Sequence, residues 1–536
     1  MEDSYISSES QVARNSIMMT GLVFLSRITG FIRTWAQAFT LGATMLASCY
    51  TVANNLPNLL FEITCGGMLY TAFLPVYISV KKNLGKAGAS DYVSNMTGII
   101  LVMMGVLTIA AFIFASPLVF TQSAGADSTF SFDTATLFFR FFCIEVLLYP
   151  LSSLLGGVLN AERKYFWSQM APVFNNVVVI VSFIIGFKIA QTNEFAGFLI
   201  YAIGNPLGVL VQVLVQIRPM KKQGIKLSLK IDLKDPALKE TLKIGLPSLL
   251  NTLCAAVLAS IQSSWSLYSD DAGAAILYYV RVWFVLPASL FAVPIQTAMV
   301  TELSTLFSNG DKNEFKRRMM SGLRQITFMM VPFALYLMVF SPFLMAFFAA
   351  GNFDNASFTN SYVCLSIVSI SLPFYALVAY LINVCAASHD MKFLSLSYLA
   401  FTIIACIFCV WAAKNFMIPG VMLSFFVFNF GVCVAVLIRF HHVFGSLGFM
   451  RAIKSSFVML VLGGIGAILG CCVAYPLATI MTSGTEFYSA FQAFVAVLVG
   501  GVISLAITYG LAMLFKVEEA QLIKKLISKL RRKKTT

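Results

Sequence analysis

The chain has 536 residues, of which 59% are apolar and only 11% are charged, and its formal net charge is +14. A soluble protein of this length would carry about a quarter charged residues. The apolar residues also occur in runs of about twenty, which is typical of membrane-spanning helices and excludes a soluble globular domain. A transmembrane barrel would need short alternating segments, which the sequence lacks. We therefore predict an all-α polytopic membrane protein.

Hydropathy predicts about fourteen membrane-spanning segments. They lie near residues 17–42, 48–80, 92–120, 134–160, 166–189, 195–218, 243–268, 273–306, 321–349, 358–387, 392–413, 417–438, 454–480 and 487–515.

The positions of lysine and arginine predict how these segments are oriented, because cytoplasmic loops carry an excess of both residues. With the N-terminus in the cytoplasm, 31 of the 37 lysines and arginines fall on the cytoplasmic side. The predicted outer loops carry acids instead. We therefore expect both termini in the cytoplasm, with the positive charge facing an anionic membrane leaflet. Nucleic-acid binding would need basic and base-reading residues gathered on one surface, so we do not expect it.

The predicted segments divide the chain into six parts. These are an N-terminal arm (1–16), a lobe of six helices (17–218), a basic cytoplasmic linker (219–242), a second lobe of six helices (243–438), a final helix pair (454–515) and a basic tail (516–536). The linker is expected to stand outside the helix bundle. The tail places apolar residues on one helical face and cations on the other, which predicts a helix that lies on the membrane and binds anionic lipids. A protein-binding tail is the alternative.

Six charged residues lie well inside the predicted spanning segments, away from their ends, where a charge needs a partner or a wet cavity. They are Arg27, Arg33, Glu62, Arg140, Glu145 and Arg281. For Arg140 and Glu145, five residues apart in the fourth segment, the better interpretation is structural pairing or anchoring at the membrane interface.

Arg27 and Arg33 favour a substrate site. They are six residues apart, hence about 9 Å apart along a helix and about 120° apart around it. Together with Arg281 they supply more positive charge than Glu62 balances, which predicts that an anionic substrate completes the site. Phosphate and diphosphate groups fit, because guanidinium presents forked donors to their oxygens. Asn58 and Glu62 are further candidates for the same site, which would bind the diphosphate and the head group. Ion pairs that only hold helices together are the alternative.

Two of the predicted segments contain helix-breaking residues at comparable places. The second has Pro57 and the pair Gly66 and Gly67, and the eighth has Pro287. Interrupted segments in both halves of a chain indicate a transporter with its binding site between repeats. We predict these four residues as structural or hinge positions.

No motif in the sequence predicts catalysis. There is no Walker A sequence and no cluster of metal-ligating residues. Cys406 and Cys409 form a CxxC motif in an apolar segment without a partner pair, so they are better interpreted as small apolar residues than as a zinc or redox site. We expect a secondary transporter or flippase, without a cofactor or metal, and not an enzyme.

Six motifs then occur in order along the chain. They are SRITGFIR (26–33), ANNLPNLLFEITCGGMLYTAFLPVYISVKK (53–82), GGVLNAERKYFWSQMAPVFNN (156–176), GNPLGVLVQVLVQIRPMKKQG (204–224), YYVRVWFVLPASLFAVPIQTAMVTELS (278–304) and AAGNFD (349–354). Together they resemble the MurJ (MviN) family, the lipid II flippases of bacterial peptidoglycan synthesis. The resemblance is carried by residues 15 to 360, and the last third of the chain agrees mainly in hydropathy.

The resemblance implies the fold of the multidrug/oligosaccharidyl-lipid/polysaccharide exporter superfamily. Two six-helix lobes would surround a central cavity, and the final helix pair would form a groove for the lipid tail. The family's cavity arginines match Arg27 and Arg33, and a further family arginine lies one place after Arg281. Better-known members have two consecutive arginines where this chain has Phe61 and Glu62. The resemblance therefore implies that Arg27, Arg33 and Arg281 alone coordinate the diphosphate.

We therefore predict a flippase that moves lipid II, an undecaprenyl-diphosphate-linked precursor, from the inner to the outer leaflet of the bacterial cytoplasmic membrane by alternating access. Cell-wall synthases are candidate partners. Three alternatives stay open. They are a flippase for another polyprenyl-diphosphate-linked glycan of the capsule or O-antigen type, a multidrug antiporter, which would need carboxylates in its cavity, and a non-transporting scaffold for cell-wall enzymes.

Overall fold

Long apolar runs form helices in this protein, because a helix satisfies its own backbone hydrogen bonds without water. The structure, a computed structural model, describes residues 2–66, 68–69, 72–225, 227–228, 230–245, 249–349, 353, 355–481 and 490–520. Over these residues the chain is almost entirely helical, which confirms the predicted fold class.

Through residue 269 the helices are α1 (Glu2–Leu41), α2 (Met45–Phe61), α3 (Phe73–Ile113), α4 (Ala115–Ser123), α5 (Phe132–Phe142), α6 (Glu145–Ala161), α7 (Tyr165–Ala190), α8 (Glu194–Lys222), α9 (Pro236–Gly245) and α10 (Leu249–Ser269). The later helices are α11 (Gly273–Pro287), α12 (Val293–Ser308), α13 (Lys312–Ala346), α14 (Asn355–Ser369), α15 (Leu372–Ala387), α16 (Met391–Phe444), α17 (Phe449–Met481) and α18 (Ala490–Leu514). Two π-helical turns, π1 (Glu62–Gly66) and π2 (Ala288–Ala292), follow α2 and α11.

Over its described residues, each predicted spanning segment coincides with one or two of these helices. By length and hydropathy, nine described helical stretches could cross a membrane, and ten could if α14 and α15, bent by 50°, form one span. The 54-residue α16 contains a non-helical residue, Met417, which divides it at the boundary between two predicted segments. The number of crossings and the cytoplasmic position of the termini stay predictions.

The chain divides into two compact units, Met1–Ser260 and Ile261–Thr536, with the division inside α10. The core of the first unit lies among α3, α6 and α8. There the rings of Phe73 and Tyr92 stack 5.7 Å apart, and Val158 is fully buried. This core holds together the helices that carry the polar residues described below.

The linker (219–242) belongs to this core, so the prediction that it stands outside the bundle is wrong. Ile225 is 1% exposed, and Asn95 of α3 holds the linker by accepting from the backbone N–H of Asp232 at 2.6 Å and donating to its carbonyl oxygen at 2.9 Å. Gly98 permits this close approach, because a Cβ there would lie 2.1 Å from a linker carbonyl oxygen. Met220, Ile225 and Leu238 of the linker are buried in this core, whereas residues 230–234 are exposed.

Segments predicted to face the cytoplasm meet within each unit. In the first unit, Lys81 Nζ lies 2.6 Å from Glu162 Oε1, which joins the region after the second predicted segment to the end of the fourth. In the second unit, Lys316 Nζ lies 3.5 Å from the carbonyl oxygen of Phe444, near the start of α13 and the end of α16. These contacts agree with the alternating direction of the predicted segments.

The last two helices, α17 and α18, pack closely on each other and on α13. A Cβ on Gly470 would lie 2.4 Å from the carbonyl oxygen of Gly500, and Phe328 of α13 shares a buried cluster with Met459 and Ala512. Small residues permit such close approach between helices in a membrane. The pair coincides with the predicted final helix pair, whose role as a lipid-tail groove stays a prediction.

Both ends of the chain bear on the predicted domain organisation. Helix α1 begins at Glu2, so the predicted N-terminal arm (1–16) is helical and continuous with the first spanning segment. Residues 516–520 of the predicted basic tail are described. The rest of the tail (521–536) and the predicted hinge residue Gly67 lie outside the described residues.

Candidate substrate site

Arg27 and Arg33 lie on different faces of α1. Asn176 of α7 donates to Thr29 Oγ1 at 3.0 Å and to the carbonyl oxygen of Ser26 at 3.5 Å, so this face of α1 packs against α7. Residues three, four and seven apart share a helical face. Arg33 therefore lies on the same face as Ser26 and Thr29 and is half-buried, whereas Arg27 is exposed.

Arg33 lies within electrostatic range of a buried carboxylate, Glu145. Glu145 begins α6 and is fully buried, and Asn205 of α8 donates to its two oxygens at 3.1 and 3.3 Å. Asn205 also bonds Asn54 Oδ1 of α2, and the Tyr149 hydroxyl bonds Glu145. A carboxylate is tolerated in the interior when it is paired and hydrogen-bonded in this way. The cluster joins α2, α6 and α8 of the first unit to the arginine-bearing face of α1.

The structure gives Arg140 and Glu145 different surroundings. Arg140 is exposed, and its guanidinium carbon lies 5.8 Å from the centre of the Phe112 ring. No ion pair joins it to Glu145 among the residues that the structure describes. Residues five apart on a helix lie about 140° apart around it, so the two side chains face different neighbours. A short turn between α5, which ends at Phe142, and α6, which begins at Glu145, also separates them.

A polar cavity of about 340 Å³ lies in the first unit, beside Tyr149. Gln212 and Gln216 of α8 both donate to Ser152 Oγ at 2.8 Å, and Asn58 donates to the Tyr149 hydroxyl at 3.5 Å. Gln216 is 1% exposed, and its Oε1 has no hydrogen-bond partner within the described part of the chain. The cavity therefore offers amide and hydroxyl groups to a ligand, and the Gln216 Oε1 acceptor is available to bind a donor.

The helix breaks lie beside the predicted residues and not at Pro57. Helix α2 continues through Pro57 to Phe61, and π1 then begins at Glu62, which is exposed. The prediction of a break at Pro57 is wrong, because a proline removes one backbone donor and a packed helix can continue through it. Gly66 ends π1 and is buried.

The second unit repeats this arrangement at Pro287. Helix α11 ends at Pro287, and π2 follows at once. Short π-helical turns inside longer helices occur often at functional sites. The two predicted hinge regions therefore share one local structure, although the sequence similarity between them is slight.

Arg281 lies on α11, six residues before Pro287, and is exposed. Its neighbour Tyr279 is fully buried, 5.9 Å from the ring of Phe348. No ion pair or hydrogen bond of the Arg281 side chain is found among the described residues of the second unit. Arg27 and Arg281 thus present exposed guanidiniums, one on each unit.

The sequence interpretation missed most of the polar residues around Glu145. The missed residues are Asn54, Tyr149, Ser152, Asn205, Gln212 and Gln216. A signal was present, because Asn205, Gln212 and Gln216 lie seven and four residues apart and so share one face of a single apolar helix. Polar residues on one face of a spanning helix indicate an interior site in the same way as charges do.

The long apolar helices, the interior polar cluster and the exposed arginines define a polytopic membrane transporter. A solved structure described as lipid II flippase MurJ in an inward closed conformation has the same fold, with a TM-score of 0.70 and 18% identity over 93% of this chain and 99% of that chain. An inward-facing multidrug resistance transporter of the MATE family matches with a TM-score of 0.62 and 16% identity over 81% of this chain and 94% of that chain.

The chain belongs to the MurJ family, because residues 37–482 match the family described as lipid II flippase MurJ. A lipid II flippase MurJ of Burkholderia cenocepacia is 26% identical over 396 residues, which cover 71% of this chain and 74% of that protein. A probable lipid II flippase MurJ of Buchnera aphidicola (subsp. Schizaphis graminum) is 24% identical over 381 residues, covering 70% and 73%. The predicted family is confirmed. The protein is a multi-pass transporter of the bacterial cytoplasmic membrane and not an enzyme.

Proposed function

We propose that this protein moves lipid II from the inner to the outer leaflet of the cytoplasmic membrane by alternating access. The observation that carries the proposal is the family match over residues 37–482. The site geometry supports it, because a lipid-linked diphosphate needs cationic groups at membrane depth that are not already neutralised.

The proposed ligands of the diphosphate are Arg27 and Arg33 of the first unit and Arg281 of the second. Arg27 and Arg281 are exposed and so open to an external anion. Arg33 has a second role, since its charge also compensates Glu145. Guanidinium groups remain charged in any protein environment and match the oxygens of phosphate groups. Asn58 and Glu62, the other predicted ligands, lie on α2 and at the start of π1.

The polar cavity of the first unit is proposed to take part of the hydroxyl-rich and amide-rich head group. Its lining groups, among them Asn58, Ser152 and Gln212, offer the donors and acceptors that such a head group exchanges. The unused Oε1 of Gln216 can accept a hydrogen bond from a sugar hydroxyl or an amide N–H. A buried acceptor that gains a donor recovers its desolvation cost of about 1–3 kcal/mol.

The two π-helical turns are proposed as the places where the helices bend during transport. Their hydrogen-bond pattern differs from that of the flanking α-helix, so a change of bending there breaks fewer regular bonds. The membrane potential can drive the translocation of a charged substrate, because moving one elementary charge across 100 mV is worth about 2.3 kcal/mol.

The strongest alternative is a flippase for another polyprenyl-diphosphate-linked glycan, since the same cationic site would serve it. A multidrug antiporter shares the fold and would need carboxylates for a cationic drug. Glu145 is fully buried and hydrogen-bonded. The exposed carboxylate of Glu62 is outweighed by the exposed guanidiniums of Arg27 and Arg281. A scaffold without transport activity would not need Arg27 to be charged.

Complementation of two bacterial strains tests the proposal. One strain is depleted of its own lipid II flippase, and the other lacks the flippase for an O-antigen unit. We expect expression of this protein to restore growth of the first strain and not O-antigen display by the second. Absence of growth, despite immunoblot detection in the membrane fraction, or restored O-antigen display would overturn the assignment to lipid II.

A further inference from the structure

A basic pocket lies at one end of the second unit, where α13 begins and where the loop between α16 and α17 passes. The cavity has a volume of about 350 Å³. The lining residues that matter here are Lys316, Arg317, Arg324, Ser446, Gly448 and Arg451. Four of these six side chains are cationic and none is acidic.

Nearby carboxylates neutralise two of the four cations in part. Glu314 Oε1 lies 2.7 Å from a terminal nitrogen of Arg317. Glu518 and Glu519, just after α18, lie 2.8 and 3.4 Å from the guanidinium of Arg324. These ion pairs hold the walls of the pocket in place.

The other two cations, Lys316 and Arg451, have no carboxylate partner among the residues that the structure describes. Lys316 Nζ reaches the carbonyl oxygen of Phe444 at 3.5 Å, a long contact. Arg451 is exposed in the first turn of α17. The pocket therefore retains positive charge that a bound anion could balance.

The backbone adds to this preference for an anion. Gly445 and Gly448 have φ values of 74° and 66°, so the short loop turns in the left-handed region that favours glycine, and α17 then begins at Phe449. The first N–H groups of a helix lack intrahelical acceptors, and the helix dipole is positive at this end. A 33-residue helix thus begins beside the cationic side chains.

Exposed apolar side chains continue from Arg451 along α17. Met450, Ile453 and Phe457 are 76%, 61% and 63% exposed, and their spacing of three and four residues places them on one helical face. A free phosphate ion would use only the cations. A phospholipid would use both parts, with its phosphate in the pocket and its acyl chains against this apolar face.

We propose that the pocket binds the phosphate group of an anionic phospholipid of the inner leaflet. The charge of the lining segments predicts that they lie on the cytoplasmic side, where anionic lipid headgroups attract cations. The bound lipid would join the start of α13 to the start of α17. The site does not depend on which lipid-linked substrate the protein moves.

Native mass spectrometry of the full-length protein, titrated with phosphatidylglycerol or phosphatidylcholine, tests the proposal. We expect a saturable site that prefers phosphatidylglycerol. The double variant Lys316→Gln/Arg451→Gln should weaken this binding roughly 25-fold, because each of the two cations that face the bound phosphate contributes about fivefold. Binding of phosphatidylcholine should not change. Thermal unfolding of the variant checks its fold, and Arg451→Lys, which keeps the charge, should retain most of the affinity.

The matched control is Lys239→Gln/Lys243→Gln, which removes two exposed cations from α9. It should change phosphatidylglycerol binding less than about twofold. Equal losses in both double variants would show attraction to net charge only and would overturn the proposal, as would unchanged binding in Lys316→Gln/Arg451→Gln. Displacement of the lipid by submillimolar inorganic phosphate would assign the pocket to free phosphate and contradict a lipid site.

Discussion

Asn205 Nδ2 donates a hydrogen bond to Oε1 of Glu145 across 3.1 Å, and the Glu145 side chain is fully buried. Such a carboxylate is stable in an interior only while its partners remain in place. Arg33 is one of those partners, because its charge interacts with Glu145. Arg33 is also a proposed ligand of the substrate. If Arg33 binds the substrate as proposed, substrate binding and the interior charge balance of the first unit share one side chain.

The Asn205–Glu145 bond predicts a stability effect. Asn205→Ala should destabilise the protein by about 1–3 kcal/mol, because a buried carboxylate loses a donor. Thermal unfolding of the purified protein in detergent measures the effect. Asn415→Ala removes an exposed asparagine that bonds only within its own helix and should stay within about 0.5 kcal/mol of wild type. Equal unfolding temperatures for Asn205→Ala and wild type would contradict the role given to this bond.

The two arginines of α1 should differ in stability. Arg33→Ala should destabilise the protein by at least about 1 kcal/mol, because it leaves Glu145 less compensated. Arg27→Ala should stay within about 0.5 kcal/mol of wild type, since Arg27 is exposed. Thermal unfolding of the two purified variants in detergent measures this difference in stability, and each variant serves as the control for the other. A larger loss in Arg27→Ala than in Arg33→Ala would contradict the described packing of α1.

Glu162 predicts a pH dependence outside the spanning segments. Partial burial would raise its pKa, but hydrogen bonds from Lys81 and Tyr77 outweigh this effect and hold the pKa below 4.5. The stabilisation is therefore present above pH 4.5 and is lost as the pH falls through the lowered pKa.

Glu162→Gln should reduce stability at pH 7 by about 1 kcal/mol and should remove this part of the acid dependence. Unfolding temperatures at pH 7 and at pH values below 4.5 measure both effects. Asp91→Asn is the control, because Asp91 and Lys230 are exposed and 3.4 Å apart. A Glu162→Gln variant as acid-sensitive as wild type would be evidence against the ion pair.

Gly66 tests the proposed bending at π1. A methyl group there would meet Glu62 Cβ at 3.5 Å, an ordinary van der Waals contact, so Gly66→Ala should fold normally. If this turn bends during transport, Gly66→Ala should slow lipid II translocation several-fold, since alanine restricts the backbone by about 0.5–1 kcal/mol relative to glycine. Gly105→Ala in α3, where no atom lies within 4 Å, should translocate at the wild-type rate. Equal rates in both variants would contradict a hinge at π1.

The sequence was most informative where a single property decides the structure. Apolar runs predicted the helices, because hydrocarbon requires every backbone group to be bonded internally. The position of the linker could not be predicted, since its burial depends on Asn95 and Gly98 of a helix more than a hundred residues earlier. The separate surroundings of Arg140 and Glu145 could not be predicted either, since they depend on Phe112 of α3 and Asn205 of α8.

The candidate site was predicted in part. The charge pattern singled out Arg27, Arg33 and Arg281 as residues that need a partner, because charge at membrane depth is unfavourable whatever the fold. Their role as substrate ligands stays a prediction. It could not identify Glu145 as the carboxylate near Arg33, since that contact joins different helices. The neutral cavity around Ser152 and Gln212 is formed by packing of α6 on α8, which the charge pattern does not reveal.

Lipid II accessibility at the outer face of cells depleted of their own flippase tests the central claim most directly. Wild type and Arg140→Ala, which removes an exposed arginine against Phe112, should restore accessibility. Arg27→Ala should reduce it about tenfold or more, because a charge-assisted hydrogen bond to a phosphate contributes about 1.5–3 kcal/mol. Full accessibility with Arg27→Ala, at equal amounts of protein in the membrane, would contradict the arginine site.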